Sequence, residues 1–279
     1  MLIPAFVWET WEKELAQSSV NLIAISTNLI DLIWQIGRPK NNTYAAYPLE
    51  IKFAGKAWQE KVRQIRLKME LFGADALVIT ALDEIAWLLN IRGWDLPNTP
   101  VLKSYVIVTQ DIWNDLRTMS QTWSKVWLPS YCGYAQGASR IIYISIPVEK
   151  RFPHPSPIIE LRAVKNEIEI LGMRKAHLRD AVAMCDFMAY MEDQLNYKTT
   201  KWDEMQVARV VNEFRLEMDY NQGISFPTIV GYGPHAALPH YEPIDSTSLM
   251  IELNSTLVID SGGQYLDGTT DVTRTIHFV

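Results

Sequence analysis

The stretch from Leu257 to Thr275 limits the fold more tightly than any other part of the chain. An apolar run, Leu257-Val258-Ile259, ends on Asp260. Ser261-Gly262-Gly263 and then Asp267-Gly268 supply turn chemistry, and a returning run begins at Asp271. Two short apolar runs separated by such residues form an antiparallel hairpin. The eleven-residue separation of Asp260 and Asp271 puts them on neighbouring strands, close together. Two carboxylates at the ends of buried strands repel one another and are costly unless a cation neutralises them. Hard oxygen ligands on a β-scaffold suit manganese, magnesium or cobalt, and zinc if a histidine joins. The spacing alone also allows a local structural role, because aspartate in a turn bonds its own backbone. Asp267 fits that role best and Asp271 fits it in part. Asp260 fits it least, since the apolar run before it implies burial.

The rest of the chain divides by its periodicity. Trp58, Val62, Ile65, Met69 and Phe72 recur at helical spacing, followed by a strand-like run at Ala76–Ile79. Thr80-Ala81-Leu82-Asp83 has the form of a capping box opening a helix through Leu89, and Tyr105–Thr109 is the next strand candidate. Lys125–Pro129 and Ile141–Ile146 are further strand candidates, and Val20–Ile25 is a β-like run near the start. Helix and strand in alternation imply an α/β layer. Pro153, Pro155 and Pro157 mark a boundary. Beyond it, Ile168, Leu171, Leu178, Val182, Cys185 and Ala189 form an apolar stripe along a long helix. Thr200-Lys201-Trp202-Asp203 reads as a second capping box, before a stripe of Val207, Val210, Val211 and Phe214. Ile224–Ile229, Leu257–Asp260 and Asp271–Phe278 then predict an antiparallel meander.

Composition narrows the function classes. With 26 basic and 32 acidic residues the net charge is −6, which disfavours general nucleic-acid binding. At 48% hydrophobic and 21% charged, the chain is too apolar for a disordered one. Its 279 residues suggest about two domains. Cys132 and Cys185 have no metal-ligand spacing and are expected as buried thiols. The longest apolar runs fall far short of the roughly 20 residues of a membrane span. The first residues have neither the basic start nor the cleavage site of a signal peptide. Sequons at Asn41 and Asn254 leave a secreted form open.

Ile259-Asp260-Ser261-Gly262-Gly263-Gln264-Tyr265 and Asp267-Gly268-Thr269-Thr270-Asp271-Val272-Thr273-Arg274-Thr275-Ile276-His277-Phe278 closely resemble eukaryotic aminopeptidase P, the Xaa-Pro aminopeptidase family. Its catalytic domain has the pita-bread fold. Phe53–Val62 and Ala81–Gly93 resemble the family's second domain, and Ala163–Asn166 with His177–Ala183 resemble the start of its catalytic domain. Asn28–Trp34 with Arg38-Pro39 resembles the end of its first domain. The resemblance implies an α/β chain: incomplete N-terminal domains of creatinase/prolidase type, then the first half of a pita-bread domain. The boundaries it suggests are 1–44 for a remnant of the first domain, 45–160 for a shortened second domain, and 161–279 for the partial peptidase domain.

The same resemblance implies a binuclear divalent metal site, usually manganese, with zinc or cobalt as alternatives. Asp260 and Asp271 fall on two of its five ligand positions. His240 falls on a family histidine that helps to stabilise substrate or intermediate, although a packed loop histidine accounts for its context equally well. His235 and His277 are expected to be structural. The family's ligand His, two ligand Glu and a further active-site His have no counterpart before the chain stops at Val279. The segment between Val108 and Val126 is also shorter than in the family. The expectation is therefore a truncated Xaa-Pro aminopeptidase, inactive alone. In complete form it would be a cytoplasmic homodimer acting on peptides with proline second, with no nucleic-acid partner and no membrane span. A secreted or surface form is the alternative location. A non-catalytic pita-bread interaction module is the alternative function, and another peptidase of the fold, such as prolidase or methionine aminopeptidase, is a weaker one.

Overall fold

The computed structural model describes residues 3–25, 27–38, 44–109, 123–198 and 201–278. The chain forms two compact units. One comprises Met1–Pro48, Lys56–Asp95 and Val101–Lys165; the other comprises Leu49–Gly55, Leu96–Pro100 and Asn166–Val279.

The first unit is built on a mixed sheet. It contains α1 (Ala5–Leu15), α2 (Trp58–Leu71), β1 (Ala76–Ile79), α3 (Leu82–Leu89), β2 (Val106–Thr109), β3 (Val126–Pro129), α4 (Arg140–Ser145), β4 (Arg151–His154) and α5 (Pro157–Ala163). The strand order is β2-β1-β3-β4, with β1 antiparallel to β2 and the other pairs parallel. Ile65 and Met69 of α2 pack with Leu77, Ile79 and Trp127 on one face of that sheet. The other face is covered by α4, where an expected strand is a helix. Ile142, Tyr143 and Ile146 sit at helical spacing against Val78, Val126 and Leu128, and that packing outweighs the β-propensity of Ile141–Ile146. Val20–Ile25 likewise forms no strand: Ile23 is exposed, and none of the sheets includes the run as a partner strand. The capping box expected at Thr80 is absent. Ala81 is the N-cap of α3, without a side-chain bond.

In the second unit the long helix α6 (Glu167–Glu192) and α7 (Glu204–Leu216) pack on two antiparallel three-stranded sheets. One joins β5 (Asn221–Ile224), β8 (Gly263–Tyr265) and β9 (Gly268–Thr269). The other joins β6 (Ile229–Tyr232), β7 (Leu257–Ser261) and β10 (Val272–Ile276). The run expected as one strand at Ile224–Ile229 is thus the end of β5 and the start of β6, with Pro227 between them, where a ladder N–H is lacking. The cap of α7 lies later than expected. Asp203 and Gln206 form the reciprocal box, and Thr200 lies outside the described residues.

The apolar stripe of α6 is also reversed. Ile168, Leu171, Leu178 and Val182 are exposed, Leu178 by 68%, and Cys185 is exposed too. The buried face carries Gly172, Ala176, Asp180, Ala183, Met184, Phe187 and Met191. Close approach decides this orientation. A Cβ on Gly172 would collide with the Asp267 carbonyl, so the small-residue face alone can dock on the turn between β8 and β9. Cys132 is half-buried, so neither thiol is the buried one that composition suggested.

Candidate functional site

The β6-β7-β10 sheet has two unlike faces. Val230, Tyr232, Leu257 and Ile259 point to the helices and are buried. Cross-strand register aligns Ile229, Asp260 and Thr273 in one row, and Gly231, Val258 and Thr275 in the next, on the opposite face. Thr273 Oγ1 donates to Asp260 Oδ1 at 2.8 Å. Asp271 lies two residues before Thr273, so the strand period of two places it on Asp260's face. Diagonal neighbours of this kind lie about 7–8 Å apart at the backbone. Asp260 is half-buried and Asp271 is exposed. The expected burial of both acids is therefore corrected: these strands are buried on their helix side only.

A loop covers part of this open face. After β6 the chain makes a 3-10 turn at Gly233–Ala237. A Cβ on Gly231 would stand 2.8 Å from the His235 carbonyl oxygen, so glycine lets the loop lie directly on the sheet. Between loop and sheet is a cavity of about 160 Å³. Asp260, Thr273 and His235 are its polar lining, and Ile229, Leu238, Pro239 and Val258 form apolar walls. His240 follows Pro239 in an exposed turn closed by the Tyr241 N–H on the Leu238 carbonyl. Its side chain is not part of the cavity lining. His235, expected to be merely structural, is. Its Nδ1 lies 2.9 Å from an oxygen of Glu204, which is fully buried at the start of α7. Nothing in the Gly-Pro-His context announced that contact, which joins residues 31 apart in sequence.

The segment leading to Asp271 is anchored from α6. Buried Asp180 accepts from Arg215 Nε at 2.8 Å and Nη2 at 3.1 Å, from Tyr265 Oη at 3.1 Å, and from Thr270 Oγ1 at 2.7 Å. Thr270 Oγ1 in turn accepts from the Gly263 N–H at 2.8 Å. Burial pushes the Asp180 carboxyl up, but the bonds and charge of Arg215, with Thr270 and Tyr265, hold it below the usual range. Burial and then the Asp180 charge push the Tyr265 phenol up to about 12. Asp267 pairs with Arg179, its side chain 7% exposed, which is a structural role. His277 is exposed.

The chemistry of the site is that of an incomplete cation cradle. Asp260 and Asp271 are hard oxygen donors on one face, which suits a divalent metal. Among the described residues no group of three or more His, Cys, Asp or Glu could hold an ion. The pair fits a metal as part of a donor set, and further ligands must complete it.

Residues 37–113 match the Creatinase/Prolidase N-terminal domain, and residues 172–279 match metallopeptidase family M24. The chain is 36% identical to Xaa-Pro aminopeptidase ApepP of Drosophila melanogaster, over 98% of this chain and 49% of that protein. It is 34% identical to the probable Xaa-Pro aminopeptidase P of Laccaria bicolor, over 99% of this chain and 47% of that one. The solved X-prolyl aminopeptidase of Caenorhabditis elegans, described as a cytosolic enzyme with a di-nuclear active site, matches with a TM-score of 0.88 at 29% identity. That match covers 100% of this chain and 50% of the other. The prolidase of Pyrococcus horikoshii OT3 shares the fold, with a TM-score of 0.54 at 21% identity over 78% of this chain and 65% of its own. The chain thus spans about half the length of the curated relatives it matches. Among the described residues no helix is long and apolar enough to cross a membrane.

Proposed function

We propose that the chain is a member of the aminopeptidase P family of pita-bread metallopeptidases and supplies half of the active site of an Xaa-Pro aminopeptidase. The reaction is hydrolysis of the bond between the first residue of a peptide and a proline in second position. One observation supports the reading: Asp260 stands opposite Thr273 on the open face of the β7-β10 pair and Asp271 lies two residues before Thr273, within the part of the chain that matches family M24.

In this reading Asp260 and Asp271 give oxygen donors to a pair of divalent ions, manganese first. When bound, such ions activate a water for attack and polarise the scissile carbonyl. The chain's own residues do the remainder. Thr273 orients Asp260 through its hydroxyl. Asp180 holds Thr270, and with it the backbone that leads to Asp271. His240, exposed beyond the cavity rim, contacts substrate or stabilises the intermediate. The apolar walls at Ile229, Leu238 and Val258 offer a dry surface to a small ring.

The domain boundaries that accompany this reading are 1–44, 45–160 and 161–279. The protein at its relatives' length acts in the cytosol as a homodimer, a location supported by the description of the C. elegans neighbour. The test is Asp271→Asn in a protein of that length. Metal-dependent cleavage should disappear while the circular dichroism spectrum and unfolding midpoint stay in place. Wild-type turnover in the variant refutes the assignment.

A further inference from the structure

A second cluster meets the cavity beside Asp260. Glu204 is fully buried, and among the described residues no lysine or arginine pairs with it. It accepts from the Tyr232 N–H at 2.7 Å, the Leu249 N–H at 3.0 Å and the Tyr241 hydroxyl at 2.8 Å. His235 Nδ1 lies 2.9 and 3.1 Å from its two oxygens. The other three partners are donors, so Nδ1 completes the shell as a donor and carries a hydrogen. With the hydrogen on Nδ1, Nε2 is the ring's acceptor position. Tyr241 stacks on the imidazole, with centroids 4.1 Å apart and planes at 29°, and so fixes its tilt. Tautomer and ring plane are both set by groups outside the cavity, while the ring itself lines it with Asp260 and Thr273. Among the described residues His235 makes no side-chain hydrogen bond except to Glu204.

We propose that His235 is a substrate-contacting residue whose Nε2 accepts a hydrogen bond from the free α-amino group of the peptide, with Glu204 as its positioning residue. This inference rests on the Xaa-Pro reading above and adds the element that recognises the amine. The chemistry of the substrate makes the amine the available donor. Proline nitrogen within a peptide bond carries no hydrogen, so the first two residues of an Xaa-Pro peptide offer one backbone nitrogen donor, the terminal amine. An acceptor locked in place by a buried carboxylate selects for it, because an analogue without the donor leaves that acceptor unpaired.

Two measurements test the proposal. In the 279-residue chain, long-range proton–nitrogen correlation spectra should show His235 hydrogenated at Nδ1, and Glu204→Gln should lose that signature. In the protein at its relatives' length, His235→Ala should raise KM for an Ala-Pro-Ala probe about tenfold, as expected for one lost hydrogen bond to a charged donor, with kcat little changed. His235→Gln, which keeps an acceptor oxygen, should recover part of the loss. A probe with hydrogen in place of the amine, propanoyl-Pro-Ala, which has no donor there, should bind wild type and His235→Ala alike. An Nε2-hydrogenated ring, or an equal KM penalty on both probes, overturns the contact. If the wild-type protein cleaves no Xaa-Pro peptide, the peptidase reading falls and the amine contact with it. A correct tautomer alongside active enzyme but unchanged KM leaves the peptidase reading standing and refutes this inference alone.

Discussion

Removing the carboxylate of Asp180 should be among the most damaging single changes in the second unit. Asp180 and Arg215 are 4% and 2% exposed at the side chain, so neither charge has water to fall back on. Four hydrogen bonds end on the two Asp180 oxygens. Asp180→Ala strands the Arg215 guanidinium, whose Nη1 is already buried without a partner, and deprives Tyr265 and Thr270 of their acceptor. Breaking a buried pair from one side costs about 3–5 kcal/mol. At about 2–4 °C per kcal/mol for a protein of this size, the unfolding midpoint should drop by roughly 6–20 °C. The assay is thermal and urea unfolding of the 279-residue chain followed by tryptophan fluorescence, with Asp180→Leu, Arg215→Met and the Asp180→Leu/Arg215→Met pair forming a cycle beside Asp180→Ala. The double variant should recover much of the loss, because two apolar groups strand no charge. A cost below about 1 kcal/mol for Asp180→Ala would show that the pair is solvated in solution and would refute the reasoning.

Three further outcomes follow from the same geometry. The Asp180 carboxyl is held below its ordinary range, so its stabilisation is present above about pH 4 and fades as pH falls through the folded value. The stability gap between wild type and Asp180→Asn, read from urea midpoints across pH 2–7, should therefore narrow at the acid end; a gap independent of pH contradicts it. The exposed stripe of α6 should make the isolated chain self-associate, and Leu178→Glu with Val182→Glu should lower the sedimenting mass without unfolding it. An unchanged sedimentation profile would show that the stripe is not the contact. Gly231→Ala should shift the loop over the sheet and lower midpoint and activity together, since its Cβ would meet the His235 carbonyl at 2.8 Å; wild-type values for both would show the loop is not seated there.

Much of the fold was legible because periodicity and turn chemistry are local. Trp58–Leu71, Ala76–Ile79 and the Leu257–Thr275 hairpin each declare themselves within a short local stretch. The readings that failed needed partners distant in sequence. Ile141–Ile146 is β-like by composition and helical because of the sheet it covers. The large apolar residues of α6 do not mark its docking face, because Gly172 and Ala176 set that face by close approach to the hairpin. The two aspartates were visible as a pair, but which strand face was covered depends on where α6 and α7 lie. Glu204, His235 and Asp180 were invisible for the same reason. Their hydrogen-bond partners lie 28 to 90 residues away, beyond any motif.

The central claim is that Asp260 and Asp271 belong to a metal-dependent site that reads proline in second position. Its most direct test is the release of the first residue from matched Ala-Pro-Ala and Ala-Ala-Ala peptides, with manganese added or chelated. The assay is run on the 279-residue chain and on the protein at its relatives' length. The account predicts manganese-dependent cleavage of the proline peptide alone by the longer protein. It predicts none by the 279-residue chain, whose described residues assemble no three-ligand group. Equal rates on the two peptides, cleavage that survives chelation, or turnover by the shorter chain within about tenfold of the longer one, a barrier difference of only about 1.4 kcal/mol, would contradict it.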